Sequence, residues 1–274
     1  MPSTSPDHDS SACNPIYAEF SGRGEDLVLV HGWGMHGGFF REFAQELARN
    51  YRVCVLDLPG HGHSPAINAD RPERLAELLA ETAPESAHWF GWSLGATLSL
   101  LVAKLYPKRV ISLGLIAGNP KFSQSPDWPH ALSLRLLDQF QANLLADFEQ
   151  TLLGFLKLQT QGLKSAPESY RKLKQRLAER APPDPKALQA GVEILKYTDL
   201  RAEFQALDKP VLALLGARDA LVPAGLERAL IELKPTIDCR VIRDAGHLPF
   251  ITHRDECLSS VLNFLSKMGR PANA

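Results

Sequence analysis

Five consecutive residues, Gly91-Trp92-Ser93-Leu94-Gly95, carry the strongest chemical signal in the chain. The apolar run Ala87-His88-Trp89-Phe90 precedes them, and Ala96-Thr97-Leu98-Ser99-Leu100-Leu101-Val102-Ala103, which reads as a helix, follows. That order predicts strand, sharp turn and helix, with a serine at the tip. So tight a turn presses the backbone against neighbouring chain two residues before and two after the serine, where only glycine fits. The hydroxyl then stands at a helix N-terminus, where backbone N–H groups can meet a developing oxyanion. A Gly-x-Ser-x-Gly stretch also describes a serine that merely caps a helix. The flanking strand and helix favour a nucleophile elbow.

A serine hydroxyl is a poor nucleophile at neutral pH and needs an adjacent base, itself oriented by an acid. When the serine sits on such an elbow, the acid follows it in sequence and the histidine comes last. The apolar run ending at Gly216 leads into Ala217-Arg218-Asp219, which puts Asp219 in a loop just beyond a strand. The last apolar run leads to Asp244-Ala245-Gly246-His247, which puts His247 in an equivalent loop. Among the competitors, His31, His61 and His63 precede the serine. Asp57 reads as a hydrogen-bonded loop residue, Asp244 is too near His247, and Asp208 lies at the wrong end of its strand. Ser93, Asp219 and His247 are therefore the candidate triad.

His31-Gly32-Trp33-Gly34 follows the first clear strand. Its glycines would let the backbone approach the nucleophile, so that the amides of Trp33 and Leu94 converge on one oxygen. The Trp33 indole would line the acyl pocket, and His31 would shape the turn.

The elements that must position these residues are legible as alternating apolar runs and helical segments. Apolar runs at 27–30, 51–58, 87–90, 110–116, 210–216 and 239–242 lack the alternation of a half-exposed sheet. Helical spacing occupies 39–48 and 73–83. Together they predict a mostly parallel, doubly wound α/β sheet covered on both faces. From 118 to 207 the strand rhythm stops, and helical stretches at 132–145, 147–159, 168–178 and 186–196 take over. A helical block between two strands of a parallel sheet reads as a cap over the C-terminal edge, where open α/β sheets bind ligands. The expected organisation is a tail over 1–14, a core over 15–117 and 208–270, and a cap over 118–207; a separate helical domain is the alternative.

Composition narrows the function classes. The 274 residues suffice for a large core, and 45% hydrophobic with 22% charged residues is ordinary for a soluble globular protein. Thirty Lys+Arg against 31 Asp+Glu give a formal charge of −1, so no global field favours nucleic acid or a membrane surface. The N-terminal stretch is polar, without the apolar segment of a signal peptide, and no run is long enough to span a bilayer. Cys13, Cys54, Cys239 and Cys257 show no metal-ligand spacing. A cytoplasmic monomer needing no metal or organic cofactor is expected.

The chain resembles the α/β-hydrolase superfamily over about residues 25 to 268. Within it, it is similar to the pimeloyl-[acyl-carrier protein] methyl ester esterases of biotin synthesis. The shared motifs are His31-Gly32-Trp33-Gly34, Asp57-Leu58-Pro59-Gly60-His61-Gly62-His63-Ser64 and the elbow. More discriminating are Phe155-Leu156-Lys157-Leu158-Gln159-Thr160, Gly191-Val192-Glu193-Ile194-Leu195-Lys196, Thr198-Asp199-Leu200-Arg201 and Gly246-His247-Leu248-Pro249-Phe250-Ile251. The resemblance implies hydrolysis of a carrier-tethered methyl ester, with substrate contacts at Phe155, Leu156, Lys157, Leu158, Gln159, Trp33, Ser93, Leu94 and His247. Arginines of the family's cap that dock the carrier protein are replaced in part by Gln150, Gly154 and Pro167. Lys164, Arg171, Lys172, Lys174 and Arg176 remain as a positive face for an acyl-carrier protein, or as an ordinary solvated face. Two other functions compete: a general short-chain carboxylesterase without a carrier partner, and a hydrolase-fold receptor.

Overall fold

The computed structural model describes residues 15–69, 71–161, 163 and 166–268. The expected tail over 1–14 lies outside the described residues. Seven strands form one sheet: β1 (Ala18–Ser21), β2 (Asp26–Val30), β3 (Arg52–Leu56), β4 (Ala87–Trp92), β5 (Val110–Ile116), β6 (Val211–Gly216) and β7 (Asp238–Ile242). Their spatial order is β1-β3-β2-β4-β5-β6-β7, and every pairing is parallel except that of β1 with β3. The middle strands are apolar because both faces are covered: β4 and β6 are buried at every residue.

Helices α1 (Arg41–Leu47), α2 (Pro72–Thr82) and α3 (Leu94–Leu105) connect the first strands. The stretch read as one helix over 39–48 opens with a 3-10 turn, Gly37–Phe40, which His36 caps by accepting from the Gly38 amide. Between β5 and β6 the chain makes an irregular segment and then α4 (Leu134–Ala146), α5 (Phe148–Leu158), α6 (Ala166–Leu177), α7 (Pro185–Tyr197) and α8 (Arg201–Ala206). Ser133, Asp147 and Asp184 cap α4, α5 and α7 through their side chains. The chain ends with α9 (Leu226–Leu233), α10 (Pro249–Thr252) and α11 (Arg254–Ser266).

The insertion packs over the ends of the central strands. In α7 the Leu188 carbonyl accepts from the Trp33 indole at 2.8 Å, and the Asp184 amide donates to the Gly60 carbonyl at 2.7 Å. Among the described residues no helix is long and apolar enough to cross a membrane.

Candidate active site

Ser93 follows β4 directly and precedes the first residue of α3. Its backbone sits at φ 55° and ψ −117°, a sparsely populated conformation for a residue with a side chain. The glycines on either side make this possible. A Cβ on Gly91 would lie 2.1 Å from the Gly95 carbonyl oxygen, and one on Gly95 would lie 2.2 Å from that of Val30. The Ser93 amide donates to Ile116 of β5 at 3.0 Å, tying the turn to the sheet.

Asp219 and His247 lie in the loops after β6 and β7, at the same edge of the sheet as Ser93 because β4, β6 and β7 run parallel. The two loops are joined by the Arg218 amide, which donates to Ala245 at 2.9 Å. Asp219 Oδ1 accepts from the amides of Leu221 and Val222 at 2.8 and 3.0 Å. Its Oδ2 faces His247 Nδ1 at 2.8 Å. A carboxylate only accepts, so Nδ1 carries the proton and Nε2 presents a lone pair. That Nε2 is buried and has no partner among the described residues. The His247 loop is also held by the residue before the nucleophile: the Trp92 indole donates to the His247 carbonyl at 2.8 Å. Sequence reasoning gave Trp92 no role, since the pair is 155 positions apart.

The loop after β2 reaches the elbow from the other side. A Cβ on Gly32 would lie 3.2 Å from Ser93 Cβ. His31 holds this loop as the sequence led us to expect. Its Nδ1–H donates to Gly32 at 2.8 Å and its Nε2 accepts from the Leu58 amide at 2.9 Å. Burial, followed by the neighbouring His61, pushes the His31 pKa down to about 3, so the ring is neutral at pH 7. The Leu94 amide opens α3 and has no intrahelical carbonyl to reach. The Trp33 amide, among the described residues, donates to no other group.

The Trp33 ring is buried among insertion side chains, 4.9 Å from Phe140 and 5.0 Å from Phe155 in edge-on contacts. Leu156 is buried, Phe155 and Leu158 are half-buried, and Lys157 is exposed. Gln159 is 2% exposed, and neither its amide oxygen nor its nitrogen has a partner among the described residues. Its backbone carbonyl lies 3.3 Å from where a Cβ on Gly246 would be, beside His247. A cavity of about 550 Å³ adjoins the elbow through Leu94.

The positive face of α6 is smaller than the sequence suggested. Arg176 is held by Glu42 of α1 through both guanidinium nitrogens, and its side chain is only 17% exposed. This pairing ties Arg176 to α1. Lys172 pairs with Glu168 at 2.7 Å one turn away. Arg171 and Lys174 are exposed, and Lys164 lies outside the described residues.

Beside Arg176 a buried charge pair clamps the insertion to the core. Arg180 Nη1 donates to Asp57 at 2.5 Å, with both side chains nearly inaccessible. Asp57 also accepts from the amides of Gly37 and His63. Burial alone would raise the Asp57 pKa, but His31, these two amides and Arg180 outweigh it and hold it below the ordinary carboxylate range.

The arrangement is that of a hydrolase: a serine at a strained strand-to-helix turn and an acid–histidine pair on one sheet edge. A family model described as the alpha/beta hydrolase fold matches residues 27–254. An esterase from Exiguobacterium antarcticum superimposes with a TM-score of 0.80, covering 92% of this chain and 95% of that one at 19% identity. A bromoperoxidase from Bacillus anthracis gives the same TM-score at 23% identity, covering 92% and 95%. These likenesses show the fold alone. Full-length sequence similarity is narrower. The pimeloyl-[acyl-carrier protein] methyl ester esterase of Methylococcus capsulatus is 42% identical over 92% of this chain and 98% of its own length. Its namesake from Vibrio cholerae is 38% identical over 92% and 98%. The chain belongs to this family of α/β hydrolases.

Proposed function

We propose that this protein is a serine carboxylesterase that hydrolyses the methyl ester of pimeloyl-[acyl-carrier protein] to methanol and pimeloyl-[acyl-carrier protein], a step of biotin synthesis. The observation that carries this reading is the Asp219–His247 pair, whose proton lies on Nδ1 and whose Nε2 has no partner among the described residues, on the edge that bears Ser93. The names of the relatives support the substrate.

In this reading His247 Nε2 takes the Ser93 proton as Oγ attacks the ester carbon. Asp219 keeps the imidazole in the correct tautomer and stabilises the imidazolium. The amides of Trp33 and Leu94 hold the oxyanion. His247 returns the proton to the departing methanol, and water then cleaves the acyl-enzyme by the same route.

Residues 118–207 act as the cap over a core of 15–117 and 208–270. The acyl chain lies against Trp33 and the segment from Phe155 to Gln159. The unpaired Gln159 amide supports that placement, because a buried polar group without a partner is costly and a substrate oxygen or N–H would satisfy it. The carrier protein docks on the exposed bases of α6, Arg171 and Lys174 first among them. The enzyme works as a cytoplasmic monomer.

The test is kcat/KM for methyl pimeloyl-carrier beside a small soluble methyl ester. Ser93→Ala should lower both by about 10⁴-fold or more. Arg171→Glu with Lys174→Glu should lower only the carrier-bound rate, and added salt should do the same. A specific observation favours a general carboxylesterase as the second reading: Arg176 is already paired with Glu42. Equal turnover of both esters, indifferent to charge and salt, would establish that reading instead.

A further inference from the structure

One glycine of the insertion lies against the side chains of Trp33 and Leu94, the two residues whose amides are assigned to the oxyanion. Gly191 is buried in the middle of α7. A Cβ built there would lie 2.6 Å from Trp33 Cδ1, 3.1 Å from Trp33 Nε1 and 3.3 Å from Leu94 Cδ2. Its backbone is ordinary helix, where alanine is the more stable residue and no turn calls for glycine. What glycine supplies at this position is space, and the pyrrole edge of the Trp33 indole takes it.

A ring seated in this way is held from several sides. The Trp33 side chain is 1% exposed, and its Nε1–H donates to the Leu188 carbonyl, one turn of α7 before Gly191. Phe140 of α4 and Phe155 of α5 meet it edge-on. The backbone of Trp33 is less constrained by its own chemistry, because it stands between Gly32 and Gly34, and Gly34 sits at φ 68°. With glycine on both sides, the side chain is the handle that fixes how the Trp33 peptide group lies. Leu94 differs, since its backbone is the first residue of α3 and is fixed by that helix. The seat in α7 thus sets the adjustable donor beside the fixed one.

We infer that Gly191 is a positioning residue for the esterase reaction: the seat it leaves in α7 holds the Trp33 ring beside Leu94, and through that ring places the Trp33 amide where the oxyanion forms. The insertion then acts on the chemical step as well as on substrate binding. The inference rests on Ser93 being the nucleophile and on the Trp33 and Leu94 amides holding the oxyanion.

The test pairs methyl pentanoate with butyl trifluoromethyl ketone, which carries the same chain on its carbonyl. Ser93 Oγ adds to the ketone carbon, its proton passes to His247 Nε2, and the carbonyl electron pair becomes an oxyanion that persists because no group leaves. The ketone Ki therefore reads the oxyanion site, and the ester KM reads binding of the chain. In Gly191→Ala, kcat should fall about tenfold or more and Ki should rise by the same factor, with KM within about twofold of the wild type. Trp33→Phe loses the bond to Leu188 while leaving α7 untouched, and it should lower kcat and raise Ki relative to KM whether or not Gly191→Ala folds. The smaller ring vacates the seat, so adding Gly191→Ala to Trp33→Phe should cost no more than about a further twofold. Unchanged kcat and Ki in Gly191→Ala overturn the positioning role and leave the esterase intact. So does a Ki that follows KM in both single variants, or an equal cost of Gly191→Ala in the two backgrounds. A wild type that does not hydrolyse the methyl ester, or ketone binding that persists in Ser93→Ala, instead removes the esterase reading on which the role stands.

Discussion

His247 can present only one nitrogen to a serine, and Asp219 decides which. Oδ1 of Asp219 is fixed by two amides, so Oδ2 has one orientation toward Nδ1. Asp219→Asn would keep the shape and remove this control, because the amide NH₂ favours a ring whose Nδ1 accepts. The proton then sits on Nε2, where the base must be bare. We expect kcat to fall by about 10⁴-fold with KM little changed and the fold intact by circular dichroism; a loss below tenfold would remove Asp219 from the triad. Ser93, Asp219 and His247 were each legible in the sequence because each stands a few residues past an apolar run, and a parallel sheet brings those ends together. Gln159 was legible only as a family match, and Trp92 had no role of its own in the sequence reading. What gives them interest is a hydrogen bond to the His247 carbonyl and a pair of unpaired amide atoms, and neither leaves a local trace. His61 was read as part of a turn; that its Nε2 is buried without a partner among the described residues is visible only in the structure.

At the scale of elements, the attachment of the insertion decides whether the site is assembled. The Arg176–Glu42 and Arg41–Glu179 pairs join α6 and the residues after it to α1, and Arg180–Asp57 sits beneath them. The first two are partly exposed and each contributes no more than about 1 kcal/mol. Arg180–Asp57 differs because it is buried: removing one partner leaves a charge without compensation. Arg180→Met should destabilise the protein by about 3–5 kcal/mol, read as a lower midpoint in urea. Adding Asp57→Asn should return part of that loss, since the remaining group is then neutral; strictly additive effects would show that the two side chains do not interact. The four main helices of the insertion were legible from 3.6-residue spacing. β1 was not, because Ala18-Glu19-Phe20-Ser21 is short and half-exposed, and gains strand character only by pairing with β3. α11 carried a readable signal in Cys257, Val261, Phe264 and Leu265, which share one buried face. The pairing of Arg176 on α6 with Glu42 was not legible, because the two lie 134 positions apart.

Across the whole molecule the formal charge is −1, so any long-range attraction for a negatively charged partner has to come from local surface such as the exposed Arg171 and Lys174. The buried imidazoles set a second global property. His31, His36 and His61 all lie at the junction of core and insertion, and burial lowers the pKa of each. For His36 the value falls to about 4, with burial the largest cause and Arg180 the next. Its ring nitrogens fit the neutral form: Nδ1 accepts from the Gly38 amide and Nε2–H donates to the Arg176 carbonyl. A histidine that is neutral when folded and titrates near 6.5 when unfolded stabilises the fold fully above pH 6.5. As pH falls below 6.5 the unfolded chain binds protons the folded chain refuses, and stability declines until the folded value is reached. For His36 that window runs from about 6.5 to about 4, and by pH 5 the loss is about 2 kcal/mol. Asp57 does not offset this, because a carboxyl with a lowered pKa keeps its contribution until the pH drops below the ordinary carboxylate range. Thermal melts at pH 7.5 and pH 5.0 should therefore show a marked drop in Tm for the wild type. His36→Gln keeps one donor and one acceptor but cannot titrate, so its Tm should start lower and fall by several degrees less. Equal falls for the two proteins would mean that His36 does not contribute to the acid sensitivity of the junction holding the insertion over Ser93.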